Sequence, residues 1–376
     1  AGTPTLSFTH PKIKTLVLGS HNFPISFNIA KPTGVSVTCE QSTDGFGADI
    51  NPCVNYNSTS SQFTWTSVEA MDVTLQYRFI ASTTSGQREF YFRPYQDYEN
   101  VEVGIPFKVY NCDQVKTVAG LPSFDQLATD LATPNTVVCL EGGAFTKTQT
   151  GPVYIEDGSK LIGKVDPVTG VPLTVINAVS GQIFAKAGAL AGVETTMANL
   201  DIYPAVSGGA GEPLLEIESG GDQLLSSNNT FRVNDQHRIG IKYTGFDSNL
   251  VSFNDSFFVT STANPSTAVE ANVAANSTGS TNFFFPKLSL VSTGNISKAF
   301  YSYGSGISMT VFGATAIGTS IDGQFLVVDD NSSGRITDFV VLNTQMTLNP
   351  DTNSPFTIAG KGNLNMENSK FKNANW

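Results

Sequence analysis

"LLSSNNTFRV" (residues 224–233) and "LVSFNDSFFV" (residues 250–259) share one grammar: two apolar residues, a short bridge, an asparagine and, three residues later, a phenylalanine. Asn228 precedes Phe231 and Asn254 precedes Phe257; Asn343 and Asn368 stand in the same way before Met346 and Phe371. Asparagine tolerates the left-handed backbone of a tight bend, and its amide can bond to another asparagine stacked upon it. The spacing therefore predicts strand–bend–strand units that lie on top of one another.

Working outward, a third strand type accompanies each unit. "QIFAKAG", "LLEIESG", "IGIKYTG", "AVEANVA", "AFYSYGS", "FLVVDDN" and "FTIAGKG" centre on Ile183, Ile217, Ile241, Val269, Phe300, Val327 and Ile358, which recur every 24 to 34 residues. Each is followed by a strand pair such as "TMANLDI", "FFFPKLSL" or "FVVLNTQMTL". A repeat of this length with three short strands is one coil of a parallel β-helix. One coil cannot bury its inner face, whereas stacked coils share a continuous core. Seven or eight coils about 4.8 Å apart give a rod of roughly 35 to 40 Å.

The start of the ladder is marked by "PSFDQLATDLATPN" (residues 122–135). Ser123 as N-cap and Gln126 three residues on form a capping box, and Phe124, Leu127, Ala128 and Leu131 make an apolar stripe that Pro134 ends. "TVVCLEGGAFTKTQTGPVYIEDGSKLIG" (residues 136–163) then supplies a strand, a Gly-Gly step and two more strands. This order resembles the opening of right-handed parallel β-helix proteins of the pectin-lyase-like superfamily. The resemblance implies a helix that caps the first coil, asparagine ladders along one bend, and a polysaccharide as ligand or substrate.

Residues 1–111 read differently. "TLSFTH", "KTLVLG", "PISFNIA", "VSVTCEQ", "QFTWTS", "VTLQYRFIA", "REFYFRP" and "VEVGIPFKVY" alternate with period two, as the strands of a sandwich do. Trp65 is the expected core aromatic. In strand count and pattern this part resembles the immunoglobulin-like modules of exported bacterial proteins. The expected architecture is thus all-β: an immunoglobulin-like β-sandwich over 1–111 and a right-handed parallel β-helix with a short capping helix over 112–376.

Only 14% of the residues are charged and the net charge is −11, which excludes a surface broadly attractive to nucleic acid. No run of about 18 apolar residues reads as a membrane-spanning helix. Cys39, Cys53, Cys112 and Cys139 lack metal or redox spacing. Three pairings are open. The local one, Cys39–Cys53 with Cys112–Cys139, is preferred over the alternatives and over four reduced, buried thiols. Closing the loop between Cys39 and Cys53 is worth roughly 3 kcal/mol in the chain-entropy model, and Cys112–Cys139 would staple the junction to the first coil. The beginning "AGTPTLSF" reads as a mature chain whose signal peptide has been removed, hence a secreted protein.

Charge concentrates in "VNDQHRIGIKYTG" (residues 233–245). With Ile239 and Ile241 inward, Arg238, Gly240 and Lys242 face out, and His237 sits at an exposed corner. Aligning Ile217, Ile241 and Val269 stacks Glu218, Lys242 and Glu270 into a carboxylate–cation–carboxylate ladder. The alternative is catalytic: polysaccharide lyases on this fold use a basic residue to remove a proton beside a carboxylate, so Asp235, His237, Arg238 and Lys242 would form the site. The superfamily's pectinolytic boxes are absent: there is no "WIDH" and no G-H-G.

Asp329 and Asp330, with Arg335 and Asp338, offer oxygen ligands of the kind Ca²⁺ prefers, although "DDNSSG" is also ordinary turn chemistry. No other cofactor is expected. Tyr301 and Tyr303 share one face, and Phe283, Phe284 and Phe285 adjoin one another; such rings stack on sugars or simply fill a β-helix. The expected function is a secreted, monomeric glycan- or cell-surface-binding protein of adhesin or virulence type. It would use the β-helix flank around Glu218, Lys242, Glu270, Tyr301 and Tyr303. A divergent lyase or hydrolase acting on an acidic polysaccharide is the alternative.

Overall fold

The computed structural model describes residues 4, 6–9, 15–17, 24–66, 76–92, 108–110, 112–120, 124–149, 151–166, 169–178, 181–186, 193–204, 212–218, 223–235, 237–244, 249–253 and 255–260, then, from 266 to 373, the strands named below with Ser369. Beyond Ala271, side chains are described only at 298–302, 340, 363–367 and 369. The chain divides into two compact units: Ala1–Cys112 with Val165–Val171, and Asp113–Lys164 with Pro172–Trp376. The excursion at Val165–Val171 interrupts the second unit at a point that no periodic pattern announces.

From Val137 onward the chain visits three parallel sheets in strict rotation. Sheet I holds Gln114–Lys116, Val137–Leu140, Lys160–Gly163, Glu194–Ala198, Gln223–Ser227, Asn249–Phe253, Thr281–Pro286, Ile307–Phe312, Thr337–Leu342 and Gly362–Glu367. Sheet II holds Gly143–Lys147, Thr174–Ala178, Leu200–Tyr203, Thr230–Val233, Ser256–Val259, Ser289–Ser292, Thr315–Gly318, Gln345–Leu348 and Lys370–Asn373. Sheet III holds Val153–Ile155, Phe184–Lys186, Pro213–Ile217, Ile239–Tyr243, Ser266–Val273, Ser297–Gly304, Gln324–Val328 and Phe356–Ile358. This is a parallel β-helix, and among the described residues eight coils carry all three strands.

Its core is columnar. On sheet III the column is Phe184, Leu215, Ile241, Val269 and Phe300, all fully buried. The expected column named Ile183 and Ile217 at the first two positions; the register corrects these to Phe184 and Leu215. On sheet II, Ile202, Phe231 and Phe257 stack, the two rings 4.9 Å apart and nearly parallel. The helix Phe124–Leu131 buries Phe124, Leu127 and Leu131 against the three strands of the first coil. Ser123 lies outside the described residues, and the Gln126 amide donates forward to Asp130 Oδ1 at 3.1 Å.

The bend between sheets I and II is built from asparagines. Asn199 and Asn228 both take positive φ, 62° and 55°, and Asn228 Nδ2 donates to Asn199 Oδ1 at 3.1 Å. Asn254, Asn343 and Asn368 lie outside the described residues. One position along, Asn229 Oδ1 accepts the Leu200 N–H at 3.0 Å and its Nδ2 donates to Met197 O at 2.8 Å. Asp255 then accepts from Asn229 N, Ser226 Oγ and Ser252 Oγ. Buried backbone polar groups at the bend thereby find partners without breaking the stack.

The first unit has two four-stranded antiparallel sheets, ordered Ser7–Thr9, Pro24–Ala30, Gln62–Thr66, Tyr56–Asn57 and Asn51–Pro52, Ser36–Ser42, Gln76–Thr83, Gly86–Phe92. Phe63 of one sheet meets Tyr77 and Phe79 of the other at 5.0 and 5.2 Å between ring centroids. The Trp65 side chain is outside the described residues. Cys39 and Cys53 are joined across a separation of 14 residues. Cys112 and Cys139 are also disulfide-bonded.

Candidate functional site

Along a β-strand, side chains alternate between the faces of the sheet, so the residues following the sheet III core column project outward. Register places Tyr154, Ala185, Glu216, Lys242, Glu270 and Tyr301 in one row on successive coils. Glu216, not Glu218, is therefore the rung below Lys242. "LLEIESG" offers apolar residues at 214, 215 and 217, and choosing Ile217 in place of Leu215 moves the rung by two, preserving its face but exchanging one glutamate for another.

Lys242 Nζ lies 2.9 Å from Glu216 Oε1, with both side chains partly exposed. On the far side stands Glu270, whose carboxyl is raised above its ordinary value by burial, partly countered by Lys242 and Lys298. Glu218 is raised by burial and by Glu216, with Lys242 opposing. Lys298 places its ammonium 4.2 Å from the centre of the Tyr301 ring, a cation–π contact. Glu216, Lys242, Glu270 and Tyr301 thus form one row, with the Lys298 ammonium packed against the ring at its end. Glu216 and Lys298 were not singled out in the sequence, because their membership depends on register.

The four residues of the catalytic alternative do not converge. His237 is only 1% exposed, which corrects its expected place at an exposed corner. Its backbone N–H donates to Asn234 Oδ1 at 2.8 Å, and its Nδ1 faces Glu212 O at 3.2 Å. Burial pushes the imidazole below its ordinary value. Arg238 Nε donates to the Asp235 carbonyl at 3.3 Å, and Lys242 is engaged with Glu216. Gly240 is buried as well as Ile241, so it does not face out as expected; a Cβ there would meet Ala268 O at 2.6 Å.

Tyr303 pairs with Asn272 in the ladder, but its side chain is outside the described residues, as are those of Phe283, Phe284 and Phe285. Asp329, Asp330 and Arg335 lie outside them altogether, and of Asp338 only the backbone, within Thr337–Leu342, is described. Among the described residues no group of three or more His, Cys, Asp or Glu side chains could hold a metal ion.

No protein-family model matches the chain, and no curated protein matches it in sequence. Among solved structures it is similar to a pectate lyase from Pectobacterium carotovorum in two crystal structures. Identity is 11% and 12%, coverage is 98% of this chain and 100% of theirs, and the TM-score is 0.32 for each. At that score the likeness carries no argument, and the β-helix rests on the strand order and register given above.

Proposed function

We propose that the protein is a secreted glycan- or cell-surface-binding protein of adhesin or virulence type, which binds through the sheet III flank of its β-helix. The observation behind this reading is the outward strip of Glu216, Lys242, Glu270, Lys298 and Tyr301. Exposed ion pairs contribute only about 0–1 kcal/mol each, so stability is a weak reason to gather charge here in a chain that is 14% charged. Alternating donors and acceptors beside an aromatic ring suit a hydroxyl-rich or uronic-acid-bearing glycan. Disulfide-bonded cysteines suit an oxidising, extracellular compartment, and among the described residues no helix is long and apolar enough to cross a membrane.

With this reading go an immunoglobulin-like spacer over 1–111, a right-handed sense for the β-helix over 112–376, and a monomeric state. The test is a glycan array and a cell-adhesion assay with the wild type, Lys242→Ala and Tyr301→Ala. Hits that weaken about tenfold or more in both variants support it. No hits and no adhesion by the wild type would sink it. Release of products from polyuronates, abolished by Lys242→Ala, would replace it with the lyase.

A further inference from the structure

A second outward row runs along sheet II, and its composition changes abruptly from one coil to the next. Backbone register pairs Thr146 with Asn177, Asn177 with Tyr203, and Arg232 with Phe258. Ile202 pairs with Phe231, which sets Tyr203 beside Arg232. The first two rungs are small and polar, and the next three are large and stacked. The Arg232 guanidinium lies 4.3 Å from the centre of the Tyr203 ring and 5.1 Å from that of Phe258.

Asp201 locks this guanidinium in place, accepting from Nε at 2.8 Å and from Nη2 at 2.9 Å. The bidentate fork fixes the plane that covers one face of Tyr203. Tyr203 nevertheless remains 38% exposed. On its other side the register sets Asn177, a shorter side chain. Among the described residues the Asn177 amide makes no hydrogen bond.

We propose that this step is a sugar subsite, with one pyranose ring of a neutral polysaccharide seated on the open face of Tyr203 as the next rung of the stack. The ring's apolar C–H face packs on the phenol, while its hydroxyls bond to the Asn177 amide, the Thr146 hydroxyl and the free lone pairs of Asp201. Coils lie about 4.8 Å apart, so the step beneath Tyr203 has room for one ring. The pairing of Arg232 with Asp201 leaves the subsite without net charge, which favours a neutral over an acidic sugar. The proposal takes only its class of ligand from the glycan-binding reading and uses none of the sheet III residues.

Affinity gel electrophoresis of the full chain through hydroxyethyl cellulose, arabinoxylan or galactomannan tests it, with polygalacturonate as the acidic comparison. At least one neutral glycan should retard the wild type. Tyr203→Ala should weaken that retardation about tenfold or more, and Tyr203→Phe should keep it within about twofold. Asn177→Ala should weaken it in a chain whose thermal unfolding is unchanged, which carries the test if Tyr203→Ala fails to fold. Lys31→Ala, an exposed residue of the first unit, should leave neutral-glycan retardation intact, and binding to polygalacturonate, read in the same series, reports on the sheet III flank separately. Retardation by none of the three neutral glycans, or equal retardation of wild type and Tyr203→Ala, would overturn the proposal.

Discussion

Asp255 is fully buried at the bend between sheets I and II, and burial raises its carboxyl from 3.8 to about 6 against the opposing hydrogen bonds from Ser226, Ser252 and Asn229. Below pH 4 the carboxyl is protonated in the folded and the unfolded chain alike. Between the two values the folded chain holds a proton that the unfolded chain has lost, so stability falls as pH rises through that window. Above it the carboxylate is charged in both states and the penalty is complete. A rise from 3.8 to about 6 corresponds to about 3 kcal/mol.

Asp255→Asn should remove most of this penalty. The new amide oxygen can still accept from Asn229 N, at 2.7 Å in the wild type. Its NH₂ would face Ser226 Oγ and Ser252 Oγ, both 2.6 Å from Asp255 Oδ2, and hydroxyls can turn to accept. Ser226 already accepts from Asn229 Nδ2 at 3.0 Å and would use its second lone pair. The measurement is the unfolding midpoint of the β-helix in denaturant for wild type and variant, from pH 4 to pH 8. The variant should exceed the wild type at pH 8, and the gap should close towards pH 4. A variant less stable at pH 8, or a gap independent of pH, would mean that the three donors outweigh the desolvation of the carboxylate.

Two further perturbations probe the interior. Lys186 points into the β-helix with no exposed surface and pairs with Asp157 at 2.7 Å. Asp157→Ala should lower stability by about 3–5 kcal/mol because it removes a carboxylate paired with a buried cation. Asp157→Leu combined with Lys186→Met should recover most of that loss in the same denaturant titration. Gly240→Ala would bring a Cβ to 2.6 Å from Ala268 O and 2.9 Å from the Phe257 ring. Overpacking of that kind should cost about 1–3 kcal/mol, read as a lower midpoint; an unchanged midpoint would show that the coil can open there.

How much of this was legible in the sequence depends on what fixed each feature. The three-strand grammar was local, and strands such as Thr230–Val233 and Ile239–Tyr243 lie within the segments that announced them. The columns were less legible. In sheet III apolar residues run consecutively, as at Ile183–Phe184–Ala185 and Leu326–Val327–Val328, and hydrophobicity alone does not choose among neighbours when several are buried. Only pairing with the next coil decides, and that partner lies some thirty residues away. The burial of His237 and Lys186 is equally non-local, since it depends on what packs against them.

The bend asparagines supply the ruler that apolar centring lacks. Three residues after Asn199, Asn228 and Asn254 come Ile202, Phe231 and Phe257, the inward column that the ladder pairs. Asn199 obeys the same spacing as the four asparagines that define the repeat, although it was not counted with them, and its positive φ shows it in the same conformation as Asn228. Because faces alternate, the fourth residue after each asparagine must point outward. Those residues are Tyr203, Arg232 and Phe258, the row that forms the proposed sugar subsite. The charge-rich stretch around His237 drew attention through composition, whereas the more complete surface was encoded as a constant offset from a structural asparagine. In a coil protein a fixed distance from the bend locates a surface row better than the density of reactive side chains does.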